Sequence, residues 1–289
     1  MPAWGRPGSM TAITRRWRTA ALGLLAGAVL LSGPGRAEPP RPEAIDRSAL
    51  RVCADPANLP FSDDKDGGFE NRIAELLAEK LGIPVRYTWY PNSTGFLRMT
   101  LRARRCDLVM GIVAGADLVQ NSNPYYRSGY VLVTRREDKL ADLTGLADPR
   151  LQTLRLGITA GTPPANLAAR DGLMAQARPY PLYVDSRYDA PGKQMIDDLA
   201  AKQIDVAVLW GPIGGYFAKQ HGDAMVVEPL VSESKDTRLD FYITMGVRPG
   251  EADWKNRING LIRENQDAIT AILKEYGVPL LDARGQPML

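Results

Sequence analysis

Cys53, Cys106 and His221 are the whole supply of thiol and imidazole ligands in 289 residues. Two thiols and one imidazole cannot build a zinc finger or any other site made mainly of histidine and cysteine. Nucleophile-histidine catalysis would have to run through His221 alone. That residue follows an amphipathic helical stretch and precedes Gly222, so it reads as a helix C-terminus, where imidazolium is favourable, and not as a base. Elsewhere no nucleophile, base and oxyanion donors assemble. The run Ser62-Asp63-Asp64-Lys65-Asp66-Gly67 alternates like a calcium loop, but Ser62 stands at position one and Ile73 at position twelve, where a bidentate glutamate is required. It reads as a solvated turn. Gly161-Thr162-Pro163-Pro164 opens a helix with Thr162 as cap and proline in the first turn, and its free N–H groups are friendly to an anion, although an ordinary cap is the plainer reading. These residues point to binding without catalysis, cofactor or metal.

A content of 45% apolar and 24% charged residues suits a soluble globular chain of about two domains, and excludes disorder, collagen and a multi-span membrane protein. The formal charge of +3 suggests an affinity for nucleic acid until its location is considered. Residues 1–37 carry Arg6, Arg15, Arg16, Arg18 and Arg36 and no acid, and run apolar over 20–31 before the small residues Gly35 and Ala37. That order is a secretory signal. Twelve residues of helix span about 18 Å, short of a hydrocarbon core of about 30 Å, so a membrane anchor does not fit. Cleavage after Ala37 leaves 31 Lys plus Arg against 33 acids. The expected mature protein is slightly acidic, periplasmic, free of membrane spans and without reason to bind nucleic acid, and in an oxidising space its two cysteines can pair.

The elements that must position any site alternate between short apolar runs and amphipathic helices, the mark of parallel α/β sheets. Strands are expected at 50–54, 85–90, 107–111, 129–134, 154–158, 182–184, 205–209, 225–227 and 241–247. Helices are expected at 69–81, 96–103, 164–177, 193–201, 212–220 and 253–276. In open α/β sheets ligands bind beyond the carboxyl ends of the strands. A two-lobed clamshell follows, each lobe a mainly parallel sheet flanked by helices, joined by a hinge of two extended crossovers. Residues 38–136 with 238–289 would form one lobe and 137–237 the other.

The order of local patterns resembles the extracytoplasmic solute-binding proteins of the polar amino-acid type, family 3, with a type II clamshell fold. The landmarks are Asn58-Leu59-Pro60-Phe61, Gly68-Phe69-Glu70, Cys106-Asp107-Leu108-Val109-Met110-Gly111, Asn123-Pro124-Tyr125-Tyr126 and Gly157-Ile158-Thr159-Ala160-Gly161-Thr162. Within that group, Arg51-Val52-Cys53-Ala54-Asp55-Pro56, Arg105-Cys106-Asp107 and Pro124-Tyr125-Tyr126-Arg127-Ser128 are similar to the quinoprotein-dehydrogenase-associated binding proteins of the MxaJ and XoxJ type. The resemblance implies a helper in maturation or activation of a pyrroloquinoline-quinone (PQQ)-dependent methanol dehydrogenase, with the lanthanide-linked form favoured over the calcium one. Its partners would be a dehydrogenase subunit or maturation intermediate and an associated c-type cytochrome. The alternative is the binding component of an importer for a small solute other than an amino acid.

In this fold the strands holding Cys53 and Cys106 are neighbours, which favours a disulfide over two buried thiols. Amino-acid binders grip the ligand carboxylate with an arginine ahead of the Pro-Tyr motif, here near Ala114 and Gly115, where no arginine stands. The second lobe usually offers an aspartate to the ammonium, where this chain has Trp210. With both handles missing, a free α-amino acid is a poor ligand. Phe61, Tyr125, Tyr126 and Trp210, with Asp55, Gly161 and Thr162, would make an aromatic, largely uncharged cleft. It could take an apolar segment of a partner or a flat molecule, or be packed shut.

Overall fold

The computed structural model describes residues 47–143, 145–230 and 237–288. The expected export signal and nearly all of the polar loop at 232–238 lie outside them. The chain runs β1 (Leu50–Ala54), β2 (Ala57–Asn58), β3 (Ser62–Asp63), α1 (Phe69–Leu81), β4 (Val85–Trp89), α2 (Phe96–Met99), β5 (Leu108–Val113) and β6 (Gln120–Arg135). It continues through β7 (Leu156–Thr159), α3 (Pro163–Arg170), β8 (Ala177–Tyr180), α4 (Pro191–Ala200), β9 (Val206–Trp210) and α5 (Gly211–Lys219). The last elements are β10 (Met225–Pro229), β11 (Asp240–Val247), α6 (Ala252–Glu264) and α7 (Gln266–Glu275).

The strands lie in the order β4-β1-β5-β11-β6-β9-β7-β8, with β10 also on β6. The outer triplets, β4-β1-β5 and β9-β7-β8, are parallel, and the pairings toward the middle are antiparallel. Both triplets are βαβ units, whose parallel strands need covering helices. The sixteen residues of β6 belong to both sides: residues 120–129 pair with β11, and residues 130–135 with β9 and β10. Separate cores form on either side. One gathers Leu50, Phe69, Ile73, Leu77, Ile258 and Leu273, and the others gather Leu156, Val208, Met195 and Leu199. These two sides are called the first and second lobe below.

Helix α1 shows how local sequence sets an element. Phe69, Ile73, Ala74, Leu77 and Ala78 form its buried stripe, and Gly82, at φ 68, closes it by donating to the carbonyls of Ala78 and Glu79. Its start leans on buried Asn71, whose Oδ1 accepts from the N–H groups of Gly68 and Asp63. Asp63 in turn accepts from the N–H groups of Lys65 and Gly67. The acidic run at 62–67 is thereby a hydrogen-bonded turn.

Five expected elements are corrected. The strand placed at 182–184 is instead β8, at 177–180, an edge strand whose Pro179 is tolerated there. The helix placed at 96–103 stops at Met99, and that placed at 164–177 gives way at Arg170 to a short 3₁₀ turn, Leu173–Ala175. The long C-terminal helix breaks at Asn265, whose side-chain amide donates to the Leu261 carbonyl. The strand placed at 129–134 begins nine residues earlier, at Gln120.

Cys53 and Cys106 are joined, with a Cα–Cα distance of 5.5 Å. The link spans a separation of 53 residues, so chain entropy alone assigns it about 4 kcal/mol. Next to it, buried Asp107 accepts from Arg51 through two bonds of 2.7 Å, pairs with Arg47 at 3.2 Å and takes a further bond from Arg248. Arg47 also lies over the Trp254 ring at 4.1 Å. Burial works against the Asp107 carboxylate, but the hydrogen bonds from Arg51 and Arg248 and the charges of Arg47 and Arg51 outweigh it and hold its pKa below the ordinary value.

Candidate functional site

Two cavities open beyond the carboxyl ends of the strands. The first, of about 590 Å³, lies within the first lobe against the ends of β1 and β5, the start of α1 and the loop before α2. The second, of about 510 Å³, lies between the lobes against Leu59, Tyr130, Leu182, Trp210 and Tyr216. Both fall in the size range of small-ligand sites.

Asp55 lies between them. It is buried on the wall of the first cavity, and accepts from the N–H of Ala57 at 2.9 Å and of Asn92 at 2.6 Å. The hydroxyl of Ser186, on the wall of the second cavity, reaches both carboxylate oxygens at 2.7 and 2.8 Å. This contact ties the end of β1 to the segment after β8, across 131 residues of sequence. Ser186→Ala is expected to raise the radius of gyration in small-angle scattering while changing stability by ~1 kcal/mol, since Asp55 keeps both backbone donors. Scattering identical to that of the parent chain would show that the contact does not hold the lobes together.

The second cavity is aromatic, though not with the expected residues. Trp210 ends β9 and meets Tyr130 edge-on at 5.4 Å and Phe241 at 6.1 Å. Burial pushes the Tyr130 phenol up to about 12. Tyr216 stacks on Tyr276 at 5.9 Å. The expectation of a largely uncharged cleft is corrected, because Asp63, Asp64, Lys65, Asp189 and Lys193 also line this cavity. Beside it Leu182, Tyr183 and Tyr188 are exposed, the tyrosines to more than three-quarters.

Tyr125 and Tyr126 are corrected from cleft to core. Both are buried, and neither lines a cavity. In the β6–β11 ladder Tyr126 faces Ile243 and Pro124 faces Thr244, so Tyr125 is the extra residue of a bulge. A bulge breaks the strict alternation of side chains along a strand. Both rings lie in the first-lobe core with Phe69, 4.9 Å apart and edge-on. Phe61 is half-buried against Phe69 at 5.3 Å and lines neither cavity. Ala114 and Gly115 form an exposed turn after β5, outside both linings, and Gly161 is exposed just before α3. Thr162 sits at the N-cap of α3 on the wall of the second cavity, but its hydroxyl donates back to the Thr159 carbonyl at 2.6 Å and caps nothing. Of the nine expected cleft residues, Asp55, Thr162 and Trp210 line a cavity. His221 is exposed beyond the end of α5.

Glu70 was legible as a landmark but not as a site residue. It shares the α1 face of Ile73, Ala74 and Leu77, which marks an acid on an apolar stripe. Burial raises its pKa to about 8, and a hydrogen bond from Tyr125 offsets part of that rise. Its Oε1 has no partner, and the group lines the first cavity. Gly111, at φ +73, makes room for it, since a Cβ there would lie 2.6 Å from Oε1. Among the described residues, no cluster of three or more His, Cys, Asp or Glu could hold a metal ion, and no helix is long and apolar enough to cross a membrane.

Residues 50–278 match the bacterial extracellular solute-binding proteins, family 3. The protein MoxJ of Methylorubrum extorquens is 33% identical over 252 residues, 82% of this chain and 83% of that protein. The crystal structure of the periplasmic binding protein XoxJ from Methylobacterium extorquens AM1 is 44% identical, with a TM-score of 0.69 over 81% of this chain and 99% of that one. The structure of MxaJ from Methlophaga aminisulfidivorans MPT, 23% identical, shares the fold with a TM-score of 0.68 over 80% of this chain and 100% of that one. A match running from the first strand to the end of the last helix, together with relatives aligned over four-fifths of the chain, places this protein in the bacterial extracellular solute-binding proteins, family 3.

Proposed function

We propose that this protein is a periplasmic accessory factor of a PQQ-dependent methanol dehydrogenase, exported on a cleaved signal at residues 1–37. It acts in maturation or activation by binding, through two lobes that meet within β6 near Ser128–Tyr130 and not at the expected residue 136. The observation that carries this reading is the interlobe cavity of Trp210, Tyr130 and Tyr216, beside the exposed Leu182, Tyr183 and Tyr188. Large aromatic surface of this kind suits an apolar segment of a protein partner, because rigid rings contribute contact area at low entropic cost. Neither an arginine at Ala114 or Gly115 nor an aspartate at Trp210 offers the handles of an amino-acid binder. The likeness to MoxJ and XoxJ supports the dehydrogenase as partner. In this reading an associated c-type cytochrome is a second partner and the lanthanide-linked enzyme is the form served.

Immobilised mature protein should retain the dehydrogenase from periplasmic extract of methanol-grown cells, and Trp210→Ala should weaken binding of the purified enzyme about thirtyfold, ~2 kcal/mol. Recovery of no dehydrogenase, together with tight binding of a small solute between the lobes, would establish the importer component instead.

A further inference from the structure

The first cavity is separate in chemistry from the aromatic one, and its wall carries two cations with nothing to neutralise them. Arg98 and Arg102, four residues apart at the end of α2, both line it. Neither has an ion-pair partner among the described residues, where nineteen ion pairs engage twelve other arginines. Two acids line the same space, and neither forms an ion pair with these arginines. Asp55 is occupied by other donors, the N–H groups of Ala57 and Asn92 and the single hydroxyl hydrogen of Ser186. Glu70, held mainly by burial at a pKa of about 8, is uncharged at neutral pH, and its Oε1 is buried without a partner. A buried polar atom left unpaired is costly, and a bound hydrogen-bonding group would recover that cost.

From the guanidinia of Arg98 and Arg102 that lack an ion-pair partner, the unpartnered Glu70 oxygen and the donors already held by Asp55, we propose that the first cavity binds a small organic carboxylate that carries no ammonium group. The carboxylate would meet Arg98 and Arg102, for which a planar guanidinium offers paired donors. A hydroxyl, carbonyl or second, hydrogen-bonded carboxyl of the ligand would meet the Glu70 carboxyl, which as a neutral acid can either donate or accept. An ammonium group would be repelled by the two guanidinia, and Asp55 already accepts from three donors. That distinguishes the ligand from an α-amino acid by a physical exclusion as well as by the missing handles between the lobes. The site lies within one lobe, so it stands independently of the dehydrogenase reading and of the Trp210 cavity.

Calorimetric titration of the full mature chain with glutarate tests this, with propylammonium and glutamine as controls. Glutarate should bind and raise the melting temperature, and the controls should do neither. The double variant Arg98→Ala/Arg102→Ala, both exposed positions that leave the core intact, should lose at least tenfold in glutarate affinity. Glu70→Gln, which keeps a donor and an acceptor, should lose less than the arginine pair. Trp210→Ala should leave glutarate affinity unchanged, which separates this site from the interlobe cavity. The proposal is overturned if glutarate does not bind at 10 mM, if glutamine or propylammonium binds as tightly, or if the double arginine variant keeps the affinity of the parent.

Discussion

Replacing Asp107 by alanine is expected to lower the unfolding free energy by about 3–5 kcal/mol, read from urea denaturation followed by circular dichroism. The carboxylate is 1% exposed at its side chain and is met by Arg47, Arg51 and Arg248. Removing it leaves three guanidinia around an apolar gap, with Glu251 as their remaining acidic partner through Arg47 and Arg248. Breaking such a group from one side costs far more than the net worth of any single pair, because the surviving charges stay desolvated. The pH dependence follows from the lowered pKa of Asp107. Its stabilisation is fully present above the ordinary value of 3.8 and is lost as pH falls below that through the folded value, where the unfolded chain takes up the proton first. The variant should therefore lose the steepest part of acid destabilisation below pH 4. A loss under about 1 kcal/mol would mean that the arginines find other partners and that the cluster is ornamental.

The second large effect has the opposite sign. Glu70 goes from 4.5 to about 8 on folding, driven by burial and moderated by the hydrogen bond from Tyr125. Between those values the folded chain binds the proton and the unfolded chain does not, so stability falls as pH rises from 4.5 to 8. The span corresponds to a loss on the order of 5 kcal/mol if the site stays closed to water. Glu70→Gln removes this titration, so the difference between variant and parent should grow steadily from pH 5 to pH 8 and then level off. Thermal denaturation of both chains across that range, in one ionic strength, provides the comparison. Parallel curves would show that Glu70 is hydrated and ionised in the folded state.

Much of the fold could be read from residues alone because its signals were local. The apolar runs at 50–54 and 206–210 and the stripe Phe69, Ile73, Leu77 each point to one element regardless of the rest of the chain. The misreadings share a cause, the decision of one position by a distant partner. Ala177-Arg178-Pro179-Tyr180 becomes a strand because β7 supplies a free edge, while Leu182 and Tyr183, stronger by composition, are left in solvent. Tyr125 and Tyr126 turn inward because the register of β11 forces a bulge at Pro124-Tyr125. The Asp55 position was legible from its place after the first strand, but its partner Ser186, 131 residues away, carries no local mark. Arg98 and Arg102 carry no local mark of the cavity they line, since charge in sequence does not reveal which guanidinia remain without an ion pair.

The long strand β6 sets a condition on how this architecture can be divided. Its first part gives β11 a neighbour and its last part gives β9 and β10 theirs, so the boundary between lobes falls inside one ladder near Ser128–Tyr130. A chain cut there would leave ladder edges bare on both fragments, with β9 and β11 offering unsatisfied N–H and C=O groups to any passing strand. Because both sides draw on this one strand, neither can be expressed alone without losing a ladder partner. A protease that opens β6 destroys both at once, which makes the quality control of this molecule all-or-none.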